Sequence, residues 1–315
     1  MAISKKTYLV LGKESTPGTA NTATNLKSVP CKSNIKAVKK REYPQEERGD
    51  RNAQYLGMDS TREADIDIKG AWYNDSMALL LLGYFGTDTA SQPNAGTAPT
   101  CYDHTLTFAD VPPSLTVHKN YDAKAYYSAY ACVEKLTLKF TAEGKLIECD
   151  STLKGLWPVI NATPPTATFS TLNPFVGYAP TITLASGSTT DINEFDVEMT
   201  QKLTLWYPIS GSQDFATIYF GERAMKVGFT ARFDNDTLYQ KFKTNTADSF
   251  QFVVQGDNIA STYYNQLTMA MGTIEYDSME HDLGKDNVLI KAKATVIPTS
   301  GVLSSCIVRN TVASY

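Results

Sequence analysis

The chain is 315 residues long and 42 % hydrophobic, enough to bury one or two cores at the ~100–150 residues of a typical domain. A net charge of −4 argues against a sequence-independent DNA binder. The charge is uneven, with eleven Lys/Arg against five Asp/Glu in residues 1–56 and 18 against 28 in the remainder.

Residues 1–29 read as a basic N-terminal arm able to dock on the acidic body of a neighbour. Its apolar run Tyr8-Leu9-Val10-Leu11 falls short of the ~7–15 residues of an export-signal core. The longest apolar run, Met77 to Phe85, is broken by Gly83 and is about half of the ~20 residues that cross a bilayer. A soluble protein made and kept inside a cell, without membrane contact, is therefore expected.

Residues 30–156 read as a first β unit. Lys36 to Arg41 form a basic first strand, and from Glu63 to Lys69 apolar Ala64, Ile66 and Ile68 alternate with Glu63, Asp65 and Asp67. Asn74-Asp75-Ser76, directly ahead of Met77–Leu82, predicts a side-chain-capped helix. Gly86 to Thr100 reads as an inserted loop, and strands are expected at 102–108, 114–119, 132–141 and 145–153. Residues 157–188, rich in Pro, Thr and Ser, read as a linker.

Residues 189–315 read as a second β unit ending in a C-terminal arm. Over 194–205 the buried set is Phe195, Val197, Met199, Leu203 and Leu205, facing away from Glu194, Asp196 and Glu198. Val227, Phe229 and Ala231 alternate likewise, Asn235-Asp236-Thr237 predicts a second capped helix, and strands follow at 249–255, 267–276, 287–296 and 302–309.

The two units share sequence markers. Tyr43-Pro44 recurs as Tyr207-Pro208 and Tyr55-Leu56-Gly57 as Tyr219-Phe220-Gly221, both 164 positions on, while the Asn-Asp-Ser/Thr marker recurs 161 positions on (74 to 235). Ser114-Leu115 matches Ser249-Phe250 at an offset of 135, so the first unit's helix-to-strand connection is longer by about 26 residues, the drop from 161 to 135. An internal duplication points to a modular or ring-forming protein, because one contact surface is presented twice.

The residues that carry chemistry are missing their usual frames. Cys31, Cys101, Cys132, Cys149 and Cys306 are scattered, with no zinc or redox spacing, and suit reduced thiols. His104, His118 and His281 stand in no metal motif, and no phosphate-binding Gly-rich loop or nucleophile elbow is present. Glu63/Asp65/Asp67 and Glu194/Asp196/Glu198 fall on every second strand residue, which draws acidic stripes down a sheet instead of a poised acid/base pair. No enzyme, no metal and no cofactor are expected.

Several stretches resemble one family. Tyr8-Leu9-Val10-Leu11-Gly12-Lys13-Glu14-Ser15-Thr16-Pro17-Gly18-Thr19-Ala20 is similar to the N-terminus of major tail tube proteins of long-tailed, non-contractile bacteriophages. So are Tyr102–Gly155, including Pro113–Val117, Val133–Leu138 and the Gly144 turn, and the strand–Asp–helix segment Val227 to Phe242. The resemblance implies β-sandwiches with a flanking helix that close into rings, join their inner sheets into a ring-wide β-barrel, and stack into a pipe for DNA. The fold class expected is thus mainly β, as two tandem tail-tube-like β-sandwich units.

It further implies a lumen lined by Glu63, Asp65, Asp67, Glu194, Asp196 and Glu198. The inter-ring loops would hold Glu46, Glu47, Arg48, Asp50, Arg51, Ser210, Gln213 and Asp214. Partners would be further copies of the chain, a tape measure protein and tail terminator or tip proteins, with DNA passing unbound; the place would be the virion tail, assembled in the bacterial host cytoplasm. Two folds per chain favour a trimeric ring with pseudo-sixfold symmetry over a hexamer. The rival classes are a tandem β-sandwich adhesion or decoration protein and a glycan hydrolase.

Overall fold

The computed structural model describes residues 3–49, 52, 54, 56–143, 145–185, 187–189, 191–283, 287–299, 301 and 303–315. In chain order it runs β1 Tyr8–Lys13, β2 Lys27–Val29, β3 Lys32–Glu42, β4 Met58–Ala71, α1 Ala78–Phe85, β5 Gly86–Ser91, β6 Tyr102–Phe108, β7 Leu115–Asn120, β8 Ala125–Thr141, β9 Glu148–Gly155 and β10 Val159–Asn161. There follow β11 Thr181–Leu184, β12 Gly187–Thr189, β13 Ile192–Trp206, β14 Thr217–Arg232, α2 Thr237–Lys243, β15 Asp248–Ala260, β16 Tyr263–Leu283, β17 Val288–Ile297 and β18 Ser305–Asn310.

Period-2 alternation dictates this mainly β architecture: each strand offers one apolar face to a core and one polar face to water. Eight strands form a continuous antiparallel run in the order β3-β4-β9-β8-β13-β14-β17-β16. Its apolar side carries Ile66, Leu138, Val197, Val227 and Ala294, all fully buried. Within the chain the run stays open and does not close into a barrel. Two of its strands leave it partway. β8 continues through 125–131 between β7 and β10, and β16 uses 263–274 to pair with β15 and β18. One connected core fills the space between these layers.

α1 is apolar on every side, which only a fully enclosed helix tolerates, and all eight of its residues are buried. The capping expectation is corrected here. Asn74 turns into the core, its amide donating to Asn265 Oδ1 at 2.9 Å, Gln266 O at 2.9 Å and Arg309 O at 3.0 Å, and no side chain caps α1. At α2 the Asn235 side chain accepts from Thr237 N–H at 3.0 Å, ahead of the helix proper. The basic stretch 1–29 contributes β1, whose Leu9, Val10 and Leu11 are buried, and 157–188 contributes β10, β11 and β12. The inserted stretch 86–100 begins with β5, paired to β6.

The duplication is written in the strand register. The bulge that shifts β3 on β4, between Lys39↔Arg62 and Arg41↔Asp59, recurs 162 and 161 positions on as Gln201↔Arg223 and Leu203↔Phe220. The shift of β8 on β9 between Val133↔Leu153 and Lys135↔Thr152 recurs as Tyr276↔Ala294 and Ser278↔Lys293. That of β7 on β8, between Leu115↔Ala131 and Val117↔Ser128, recurs as Asp248↔Ile274 and Phe250↔Met271. Bulges kink and twist a sheet at fixed places, so three coincidences fix the correspondence. Even β1 on β7 is matched by β11 on β15, β2 by β12, and β10 on β8 by β18 on β16. Among the described residues, the β5–β6 hairpin has no counterpart.

Register also corrects the sequence markers. Asn74 and Asn235 share the 161-position offset of β4 and β14, but the Tyr43-Pro44 match at 164 slips two residues past the 162-position offset of β3 and β13. Leu115 corresponds to Asp248, an offset of 133, not to Phe250.

Candidate functional site

The polar face of the eight-strand run gathers the predicted stripes. Asp65 and Asp67 project from β4, and Glu194, Asp196 and Glu198 from β13, with β9 and β8 between them. The intervening strands supply lysines. Lys154 Nζ lies 2.5 Å from Asp65 Oδ1 and 3.6 Å from Glu63 Oε1, and Lys135 Nζ lies 2.5 Å from Glu198 Oε2. Lys69 meets Asp150 at 3.7 Å, and Lys291 meets Asp282 at 2.7 Å. The stripes are therefore rows in a field of alternating sign, which period-2 counting along single strands could not reveal.

Around β13, β14 and β17 this face forms a hollow of about 530 Å³, with Lys139, Glu194, Asp196, Glu280, Lys291 and Lys293 on its walls. Gly228 leaves room on the floor, since a Cβ there would stand 2.7 Å from Asp196 Oδ1. Burial first, then the neighbouring Glu198, pushes the Asp196 carboxyl above its ordinary value, while Lys139 and Lys293 pull the other way. Thr230 Oγ1 donates to Glu194 Oε1 at 2.9 Å. At Lys154, burial opposes the charge, but Asp65, Glu63 and Glu134 outweigh it and raise the ammonium pKa above the usual lysine value.

The two hairpin loops behave differently. In the β3–β4 loop, Glu46 pairs with Arg48 and Glu47 is exposed, while Asp50, Arg51 and the Tyr55 marker lie outside the described residues, as does Gly144. The β13–β14 loop folds back on the first half. Arg62 grips Asp214 through two 2.7 Å bonds, Arg62 N–H donates to Gln213 O at 3.0 Å, and Tyr207 Oη–H donates to Glu63 Oε2 at 2.7 Å. Behind them Phe215 and Ile218 are buried against Cys132. Ser210 is exposed at the tip. Glu63 is thus drawn from the stripe into the contact between halves.

Sequence reasoning passed over Glu14. Its buried carboxylate accepts four bonds, from Gly18 N–H at 2.8 Å, Ser114 Oγ at 2.6 Å, Thr116 Oγ1 at 2.8 Å and Tyr130 N–H at 2.9 Å. It thereby ties β1 and its following turn to β7 and to the left-handed Tyr130 in β8 (φ 51°). The three histidines stay apart: His104 bridges Asp88 and Val312 O, His118 donates its Nε2–H to Asn21 O at 2.7 Å, and His281 packs on Phe233 and Tyr239. Among the described residues no group of three or more His, Cys, Asp or Glu is placed to hold a metal.

What this arrangement offers is an extended sheet face of interleaved acidic and basic residues on a body with two register-equivalent halves. No curated protein matches the chain. The phage tail tube protein family matches residues 4–299, nearly the whole length. That family is structural and not enzymatic, and this chain belongs to it: it is a tail tube protein of a bacteriophage.

Proposed function

We propose that the chain polymerises as stacked rings into the tail tube of a long-tailed, non-contractile bacteriophage, and that three chains close each ring with pseudo-sixfold symmetry. The observation that carries this reading is the eight-strand run built from two register-equivalent four-strand halves, β3-β4-β9-β8 and β13-β14-β17-β16. Each half is one tube fold, and its polar face, with Asp65, Asp67, Glu194, Asp196 and Glu198, lines the bore.

Such a wall suits a conduit for ejected DNA. Affinity for DNA comes from basic groups that displace counterions at phosphates. Here Lys135, Lys154 and Lys291 are each held by a carboxylate, so a passing duplex meets a surface whose charges already answer one another. The tape measure protein would occupy the bore before ejection, with terminator and tip proteins at the tube ends, all within the virion tail after assembly in the host cytoplasm. Glu46, Glu47 and Arg48 on the β3–β4 loop are exposed, where an adjoining ring would meet them.

Electron microscopy of the purified, assembled chain tests this. Tubes of uniform diameter with threefold rotational symmetry are expected. Rings of six identical chains would overturn the trimer, and discrete particles that bind a surface without polymerising would favour the adhesion or decoration class.

A further inference from the structure

Apart from the β5–β6 hairpin and its pairing with β18, every strand pairing of the first half recurs in the second, and one further pairing between the halves is made only once. β8 joins β13 across the middle of the chain, Lys139 opposite Asp196 and Thr137 opposite Glu198. Its equivalent would join β16 to β3, and these two strands lie at opposite ends of the run. Among the described residues, neither β3 nor residues 275–283 of β16 has a strand on its outer side.

Three features of these edges point to the same occupant. Their charges are opposite: β3 carries Lys32, Lys36, Lys39, Lys40 and Arg41 against Glu42, while 275–283 carries Glu275, Asp277, Glu280 and Asp282 and no Lys or Arg. Their apolar residues are bare where the in-chain equivalents are covered; Leu283 is 82 % exposed and its counterpart Phe140 is 2 % exposed. Ile35 likewise is half-buried where its counterpart Val197 is fully buried. Finally, Ile35 N–H points away from β4 and donates to Tyr121 Oη at 3.0 Å, and that hydroxyl donates to Asn34 Oδ1 at 2.9 Å. In the free chain the Tyr121 hydroxyl thus caps the N–H that an incoming strand would take over, blunting an edge that would otherwise recruit strands indiscriminately.

We infer that β16 of one copy pairs antiparallel with β3 of a second copy in the register that β8 and β13 use within the chain, placing Asp282 opposite Asn34 and Glu280 opposite Lys36. The inference deepens the ring reading and rests on it. Subtracting the repeat offsets gives the register: Lys139 and Thr137 become Asp282 and Glu280 (143 positions), and Asp196 and Glu198 become Asn34 and Lys36 (162 positions). The same two edges explain the basic first strand, which meets the acidic end of β16 instead of facing DNA. Because Ile35 directs its N–H outward, 34–282 and 36–280 are the non-hydrogen-bonded pairs of the new ladder. Their Cβ atoms come within about 4.5–5 Å, the spacing most open to a disulfide.

The test uses the full chain assembled into tubes, with wild-type tubes, which keep Cys31 beside β3, as background. On oxidation the Asn34→Cys/Asp282→Cys variant should give covalent dimers and trimers on a non-reducing gel, and Lys36→Cys/Asp282→Cys should not. Tubes in which only the 36–282 pair links, or neither does, overturn the register and leave the tube reading standing; a wild-type chain that forms no tubes overturns the tube reading itself. Independently, Lys36→Glu should cut tube yield about tenfold without shifting monomer unfolding, and Lys36→Glu/Glu280→Lys should restore it. A double variant no better than Lys36→Glu would also overturn the pairing.

Discussion

α1 and α2 occupy equivalent places, each directly after the strand it follows, yet every residue of α1 is buried and none of α2 is. The difference lies in what covers them. The offset between halves falls from 161 before the helix to 133 after it, so the first half holds 28 extra residues, the β5–β6 hairpin and its flanks. Phe108 at the end of that hairpin stacks on Phe85 with ring centres 4.6 Å apart and meets Tyr84 at 6.1 Å. β6 also pairs with β18, which belongs to the second half, and His104 in β6 bonds Val312 O. One insertion thus turns a surface helix into a core helix and fastens the far end of the chain to it. Equivalent topology does not mean equivalent stability.

Phe85→Ala in α1 should cost about 4 kcal/mol in denaturant unfolding, as buried aromatic truncations do. Phe242→Ala in α2, only partly buried, should cost about 1 kcal/mol; equal costs would break the contrast. Next in size is Glu14→Ala, which strands four donors at the first half's own β1 turn and should cost about 3 kcal/mol by the same measurement. A change below about 1 kcal/mol would show that this turn is not the anchor its bonding suggests.

Contacts between the halves should matter less. Arg62→Ala removes a bidentate pair whose side chains are 34 % and 28 % exposed, so solvent screening leaves about 0.5–1 kcal/mol at low salt, shrinking as salt is raised. The smallest effect is at Asp196. Its folded-state pKa is raised, so the ionised carboxylate weakens the fold once pH climbs past the ordinary 3.8, and the protonated acid does not. Asp196→Asn should therefore be slightly more stable than wild type at pH 7, with the gap closing as pH falls below 3.8. A gap that widens in acid would refute the assignment.

Alternation made the strands legible. 102–108 is β6, and 194–205 lies within β13, because a half-buried strand writes its two faces into every second residue. β1 and β11 were hidden, one inside a basic arm and one inside a Pro/Thr-rich stretch, since strands of four to six residues carry too few alternations to stand out from such surroundings. The Asn-Asp-Ser marker was legible as a recurring position but not as a role. Whether Asn74 caps a helix or bonds Asn265 depends on a partner 191 residues away. At the candidate face, the acidic residues were visible along β4 and β13. Lys135 and Lys154, which pair with Glu198 and Asp65, come from strands adjacent to β13 and β4 only in space.

The seam between β8 and β13 has a bearing on how a ring could start. Bringing free bodies together costs about 4–15 kcal/mol of translational and rotational freedom for each one added. With that seam carried inside a single polypeptide, half the joints of a three-chain ring exist before any encounter. For the three-chain ring proposed above, nucleation would wait on three molecules meeting instead of six, and its rate would fall off less steeply on dilution than that of a ring whose joints must all be made by collision.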